Sequence, residues 1–226
     1  MKIDLTDVTV CAVDSANVRP AAMALNRSAA RCRFADSVLF SHEPASGSFR
    51  TIRTDKIEST TAYSHFVFKR LPMVIETPFV LVVQWDGFVI DQSAWNPSFR
   101  NFDYIGARWP FVTDGMTVGN GGFSLLSRKF MSAMMEPRFP IRDGENSDWL
   151  ICRKYRSQLE TEFDIRFAPE AIADRFSYET LTAREFTAPR PPTFGFHGMG
   201  NMWRYLDDAD MIALIDQVSP YVFQTH

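Results

Sequence analysis

A chain of 226 residues is long enough for one domain with a full hydrophobic core. Its 46% hydrophobic and 23% charged residues exclude a disordered chain and a membrane bundle. With 24 Lys plus Arg against 27 Asp plus Glu, the net charge of -3 gives no general attraction to nucleic acid or to an anionic membrane, so an anionic ligand has to be held by local groups.

Residues 8–13 form a β-rich run ending at Asp14-Ser15, and residues 16–33 carry helical apolar spacing at Met23, Leu25 and Ala29, so a β-α opening is predicted. Residues 36–41 and, after a Pro- and Gly-containing turn, 49–53 read as further strands. Tyr63, Phe66, Val67, Leu71 and Val74 recur at helical intervals over residues 60–76, where Pro72 must kink or end the helix. The continuous apolar run at 79–84 predicts a strand buried on both faces of a largely parallel sheet. Residues 91–117 are loop-rich and are expected to wrap over the ligand face of that sheet. A strand at 123–126, a helix at 127–135, a loop at 143–146, a helix at 148–159 and a strand at 164–168 follow. The Pro-rich stretch 188–192 and the interruption 194–198 precede a last amphipathic helix at 207–218. Strands alternating with helices predict one α/β domain, Rossmann-like, with a mostly parallel central sheet flanked by helices and its ligand beyond the carboxyl ends of the strands.

Cys11, Cys32 and Cys152 are few and widely spaced, which fits reduced structural thiols and a reducing compartment. The first residues carry two acids and no apolar segment of signal-peptide length, and no later stretch approaches a membrane span, so a soluble, cytoplasmic chain is expected. The 14% aromatic content, with Phe at 20 copies, is high; a Phe-rich core takes most of it and a stacking cleft the remainder.

Chemistry has three candidate carriers. Asp86, in Gln84-Trp85-Asp86-Gly87, directly follows a buried strand, where a carboxylate either ligates a hard divalent cation or turns the chain. Asp148 opens a helix, either as a general base aimed at an acceptor hydroxyl or as a dipole partner. His197 lies in a loop between glycines, where imidazole binds metal or phosphate oxygen or serves structure. Between them Gly119-Asn120-Gly121-Gly122 lets backbone approach a ligand closely, with Trp109 or Phe123 available to stack on a sugar face. Asp14 and Ser15 end the first strand.

Read in order, Gln84-Trp85-Asp86-Gly87, Tyr104-Ile105-Gly106-Ala107-Arg108-Trp109, Gly119-Asn120-Gly121-Gly122-Phe123-Ser124-Leu125, Asp148-Trp149 and Phe196-His197-Gly198 resemble a family of GT-A-like glycosyltransferase domains still named as a domain of unknown function. The likeness spans residues 8–205. It implies a nucleotide-sugar donor, UDP-linked, on the half at 8–90, its nucleoside beside Asp14 and Ser15, and a glycan or other hydroxyl acceptor on the half at 91–205, with a C-terminal helix at 206–226, and an inverting transfer in polysaccharide or glycoconjugate synthesis. By the same resemblance Asp86 matches the last acid of a metal-binding D-x-D motif whose first Asp is replaced by Gln84. A divalent cation (Mn or Mg) on Asp86 and His197 is then implied. Asp148 matches the second acid of a Glu-Asp pair that holds the catalytic base, and Ser147 stands in the place of the Glu. Arg108 stands where the pattern has Pro. A catalytically silent nucleotide- or sugar-binding module is the alternative that Gln84 and Ser147 suggest; a nucleotidyltransferase is the poorer fit, since only Arg19 lies near the first strand to serve a phosphate-binding loop.

Overall fold

In the computed structural model, which describes residues 2–181, 185 and 191–218, one sheet carries the molecule. Its strands are β1 (Ile3–Val13), β2 (Cys32–Ser41), β3 (Arg50–Arg53), β4 (Phe79–Val83), β5 (Tyr104–Ile105) and β6 (Phe123–Ser127), in the order β3-β2-β1-β4-β6-β5. β1 to β4 pair in parallel; β6 runs antiparallel to both β4 and β5. The mostly parallel α/β domain expected from the sequence is therefore present, with one reversed strand.

The alternation along β4 shows why its sequence is apolar throughout. Leu81 and Val83 enter one core, while Val80 and Val82 enter the other on the opposite face. The first core is closed by α1 (Val18–Arg31) and by the chain's C-terminal part, where Phe99, Phe123, Phe176 and Phe194 pack edge-on or tilted at centroid distances of 5.2 to 6.0 Å. This aromatic cluster absorbs much of the unusual Phe content. The second core is covered by α2 (Thr60–His65), α3 (Leu71–Val74), α4 (Arg128–Met134) and α6 (Arg156–Phe163).

Two predicted helices are interrupted. A π-helical segment, Phe66–Arg70, joins α2 to α3 and brings Pro72 into the first turn of α3, where its missing N–H costs nothing. Likewise α5 (Ser147–Trp149) passes through the π segment Leu150–Lys154 before α6. The helices α7 (Glu170–Phe176), α8 (Met199–Met202) and α9 (Asp208–Ile215) complete the described elements. Residues 188–190 of the Pro-rich stretch and 219–226 of the tail, His226 among them, lie outside the described residues.

Residues 164–168 are not a strand. Asp164 ends α6 in the left-handed region (φ 51°), and the Arg166 N–H donates to the Asp103 carboxylate at 2.9 Å instead of to a neighbouring strand, leaving one bridge from Tyr104 to Phe167. The loop-rich segment 91–117 in turn supplies the edge strand β5, which is more than a cover. Immediately after it, Gly106 packs backbone against backbone: a Cβ there would stand 1.8 Å from the Gly119 carbonyl oxygen. Gly106→Ala is expected to destabilise the fold by about 1–3 kcal/mol, read as a lower urea midpoint at unchanged m-value.

Candidate active site

The reversal of β6 decides where the site forms. Val83, the last residue of β4, pairs with Phe123, the first of β6, so residues 119–122 arrive at the same sheet edge where β1 and β4 deliver Asp14 and Asp86. The Gln84 N–H donates to the Gly122 carbonyl at 2.9 Å and locks the two segments together. The C-terminal part reaches this edge through a Val89–Gly195 bridge and a 2.8 Å bond from the His197 N–H to the Tyr178 carbonyl.

His197 is the hub. Its Nε2 lies 3.1 Å from Gln84 Oε1 and 3.2 Å from Asp86 Oδ1, and its Nδ1 lies 2.9 Å from Glu179 Oε1 and 3.0 Å from the Asn120 amide. Burial alone would lower the imidazole pKa, but the Asp86 and Glu179 carboxylates outweigh it and hold His197 well above its ordinary 6.5. The ring is therefore an imidazolium that donates from both nitrogens. An amide facing Nδ1–H has to present its oxygen, and that orientation also satisfies Asn120 Oδ1, which otherwise is buried with no hydrogen-bond partner. Asp86 mirrors its partner: burial would raise its carboxyl, yet the positive ring keeps it below the usual 3.8. Gln84, donating from Nε2 to the Tyr63 hydroxyl at 3.0 Å, is thereby fixed with its oxygen toward the ring.

Asp148 stands at the opening of α5, where the Asn146 side chain accepts from its N–H at 2.8 Å. Its half-buried carboxylate accepts from the Ser147 hydroxyl at 3.0 Å and borders a small cavity with Tyr63, Tyr104 and Gly121. Burial raises its pKa above 3.8, and bonds from the Gly121 N–H and Ser147 only partly oppose that. A half-buried carboxylate tuned upward suits proton abstraction from a hydroxyl.

The glycine-rich loop packs closely against these side chains. A Cβ on Gly119 would fall 2.2 Å from the Trp109 ring, one on Gly121 2.4 Å from Asp148 Oδ1, and one on Gly122 2.1 Å from His197 Nε2. Much of its backbone is also engaged internally, since the Gly119 N–H donates to Ala107, the Gly119 carbonyl accepts from Tyr104, and the Gly121 carbonyl accepts from Ser124. Asn120 between them takes the left-handed region at φ 54°. The stacking role expected of Trp109 and Phe123 is corrected: both are buried, Phe123 completely, and they lie beneath the site.

Asp14, whose carboxyl burial pushes upward, accepts from the N–H groups of Ala16 and Asn17 at the start of α1. Ser15 accepts from Ile57 N–H at 3.0 Å, which ties the end of β1 to the wall of a cavity of about 810 Å³. Phe40, Ile52, Phe66, Arg53, Lys56, His65 and Arg70 line that cavity. Arg108 is structural, paired with Asp174 at 3.0 Å and Glu185 at 2.7 Å. Cys11, Cys32 and Cys152 are free and buried, and burial pushes the Cys32 thiol up to about 12, which leaves them inert. Two functional side chains escape the sequence: Glu179, in a stretch without a turn or glycine signal, and Tyr63, read only as a helix residue.

A cation on Asp86 and His197 would find one candidate ligand in Asp86 Oδ1, which is buried with no hydrogen-bond partner, while Gln84 stands in place of a second acid and, among the described residues, no group of three or more His, Cys, Asp or Glu is placed to hold a metal ion.

The profile of the family described as "Protein of unknown function (DUF5672)" matches residues 47–197, which hold every site residue above except Asp14 and Ser15. The chain belongs to this family. No curated protein matches the sequence. Among solved structures, this DUF5672 chain is similar to a glycosyltransferase involved in the glycosylation of the major capsid of PBCV-1, at 9% identity and TM-score 0.54 over 93% of this chain and 99% of that one. It is also similar to the apo-form glycosyltransferase GlyE of Streptococcus pneumoniae TIGR4, at 14% identity and TM-score 0.54; 96% of this chain is covered, and it spans 60% of the GlyE chain. An active-site mutant of LgtC matches at 12% identity and TM-score 0.51, over 96% of this chain and 99% of that one. At such identities the likeness is one of fold, and the fold is the GT-A-like one of glycosyltransferases. Among the described residues no helix is long and apolar enough to cross a membrane.

Proposed function

We propose that this protein is an inverting glycosyltransferase that moves a sugar from a nucleotide-diphosphate donor, UDP-linked, to a hydroxyl of a glycan or other acceptor in polysaccharide or glycoconjugate synthesis. The observation that carries the reading is the meeting of the Asp148 carboxylate and the His197 ring across residues 120–122, where Gly121 packs against the first and Gly122 against the second. Ionised Asp148 takes the proton of the acceptor hydroxyl as that oxygen attacks the anomeric carbon. The bond from that carbon to the diphosphate breaks on the opposite face, and the departing diphosphate takes the electron pair. One displacement inverts the centre. The cavity beside Ser15 supports a nucleotide there: its size is that of ligand pockets, half-buried Ile52 and Phe66 give it an apolar wall, and Arg53 and Arg70 have no ion pair among the described residues. The buried free thiols fit a cytoplasmic setting.

Calorimetric titration with UDP, with EDTA and then with Mn²⁺, tests this. Binding of UDP is expected, and the comparison of EDTA with Mn²⁺ reads whether a cation on Asp86, whose buried Oδ1 has no hydrogen-bond partner, adds to it. A requirement for Mn²⁺ would establish the cation expected on Asp86 and His197, and the absence of any nucleotide binding would end the transferase reading. Gln84 and Ser147, standing in the places of two acids, favour the silent binding module as the second reading; UDP binding without turnover of any UDP-sugar would select it.

A further inference from the structure

Beside the proposed base the surface carries a flat aromatic step. Trp109, itself buried, lies 6.3 Å from Phe111 at an interplanar angle of 29° and 6.1 Å from Trp149 at 35°. Phe111 is 66% exposed and Trp149 53%, unusual values for such large apolar groups. The step is rigidly held. Arg153 stands 5.1 Å over Trp149 and donates at 2.7 Å to Asp114 and 3.1 Å to the Met116 carbonyl, while Trp109 N–H donates to Thr117 at 2.7 Å. Loop and helix are thus pinned to each other, with Arg153 over one face of Trp149 and more than half of the surface of Phe111 and Trp149 left to solvent.

We infer that this step is the acceptor subsite and that its occupant is a saccharide, stacked by the C–H face of a pyranose ring on Trp149 and Phe111. Trp149 follows Asp148 directly, so their side chains leave the helix about 100° apart, one toward Gly121 and the other outward. The loop closes the link: Gly119 rests on Trp109 and, two residues later, Gly121 rests on Asp148. Two exposed rings with a charged border are far short of the roughly 800 Å² per partner that a stable protein interface buries, which argues against a second copy. They match the apolar area with few polar groups that holds a small polyhydroxylated ligand.

The inference rests on Asp148 as the base, and the test separates the two. Saturation-transfer NMR on the full chain would use the p-nitrophenyl β-glucoside, β-galactoside, β-N-acetylglucosaminide and α-mannoside as probes, with UDP affinity measured calorimetrically on the same samples. At least one glycoside is expected to bind and to bind about tenfold more weakly, or not at all, in Trp149→Ala and in Phe111→Ala. Trp149→Tyr should restore it, and UDP affinity should be unchanged in all three. No glycoside binding, equal binding to wild type and Trp149→Ala, or a dimer that the alanine variants dissociate would overturn the subsite. Loss of UDP binding by the wild-type chain would instead strike the transferase reading while leaving a glycoside signal at the step intact.

Discussion

Asp148→Asn is expected to lower turnover of a UDP-sugar onto acceptor by about 10²- to 10⁴-fold, the range that a positioned general base supplies, with UDP affinity retained. The fold should not suffer. Burial raises the Asp148 carboxyl above 3.8 in the native state, so between the unfolded and folded pKa values the native chain binds more protons than the unfolded one, and stability falls as pH rises through that window. Asparagine removes that loss, making the variant at least as stable as wild type above the folded pKa. Urea unfolding at neutral pH checks this half and single-turnover kinetics the other. The wild-type rate should follow the ionised fraction of the same group, climbing with pH through a value above that of an ordinary aspartate and then levelling. An acid limb unchanged from 3.8, or turnover untouched in the variant, would remove Asp148 from the chemistry.

His197→Ala carries the largest expected cost to the fold. The imidazolium is the shared counter-charge of Asp86 and Glu179, and its side chain is 13% exposed against 12% and 27% for theirs. Removing it leaves two carboxylates facing each other with no counter-charge, and breaking a buried pair in this way costs about 3–5 kcal/mol. Should the alanine variant fail to fold, Glu179→Gln provides the milder test: it removes one of the two negative partners and keeps the ring between Gln84 and Asp86. UDP affinity is expected to fall sharply in the first variant and to hold in the second, because the positive charge survives only there. A His197→Ala chain with wild-type stability and UDP affinity would show that the ring is neutral or remote from the donor.

The sequence made the layers legible where burial dictates composition. A strand covered on both faces cannot hide, so residues 79–84 announced β4, and the helical spacing of Met23 and Leu25 announced α1. Direction left no such trace: nothing in residues 123–126 distinguishes a reversed strand from a parallel one, although the reversal of β6 brings the loop to the site. Both π segments escaped because apolar spacing continues through them, and β5 because two residues set no period. Asp86, Asp148 and His197 stood out as polar groups next to glycines or at element ends. Glu179 had no such marker, and the need for it follows only from seeing a charged ring between two carboxylates. The glycines mark close approach, and the neighbour they approach is in each case a side chain far along the sequence.

That neighbour changes how Gly119, Gly121 and Gly122 should be read. Each is the cast of one side chain, a missing methyl whose outline is a tryptophan, an aspartate and a histidine in turn. The acids of such a site can therefore be intact in a sequence that no longer has room for them. A relative that keeps Asp148 but carries alanine in place of Gly121 would display the catalytic letter without the catalytic position, and an inventory of its carboxylates alone would mistake it for an enzyme.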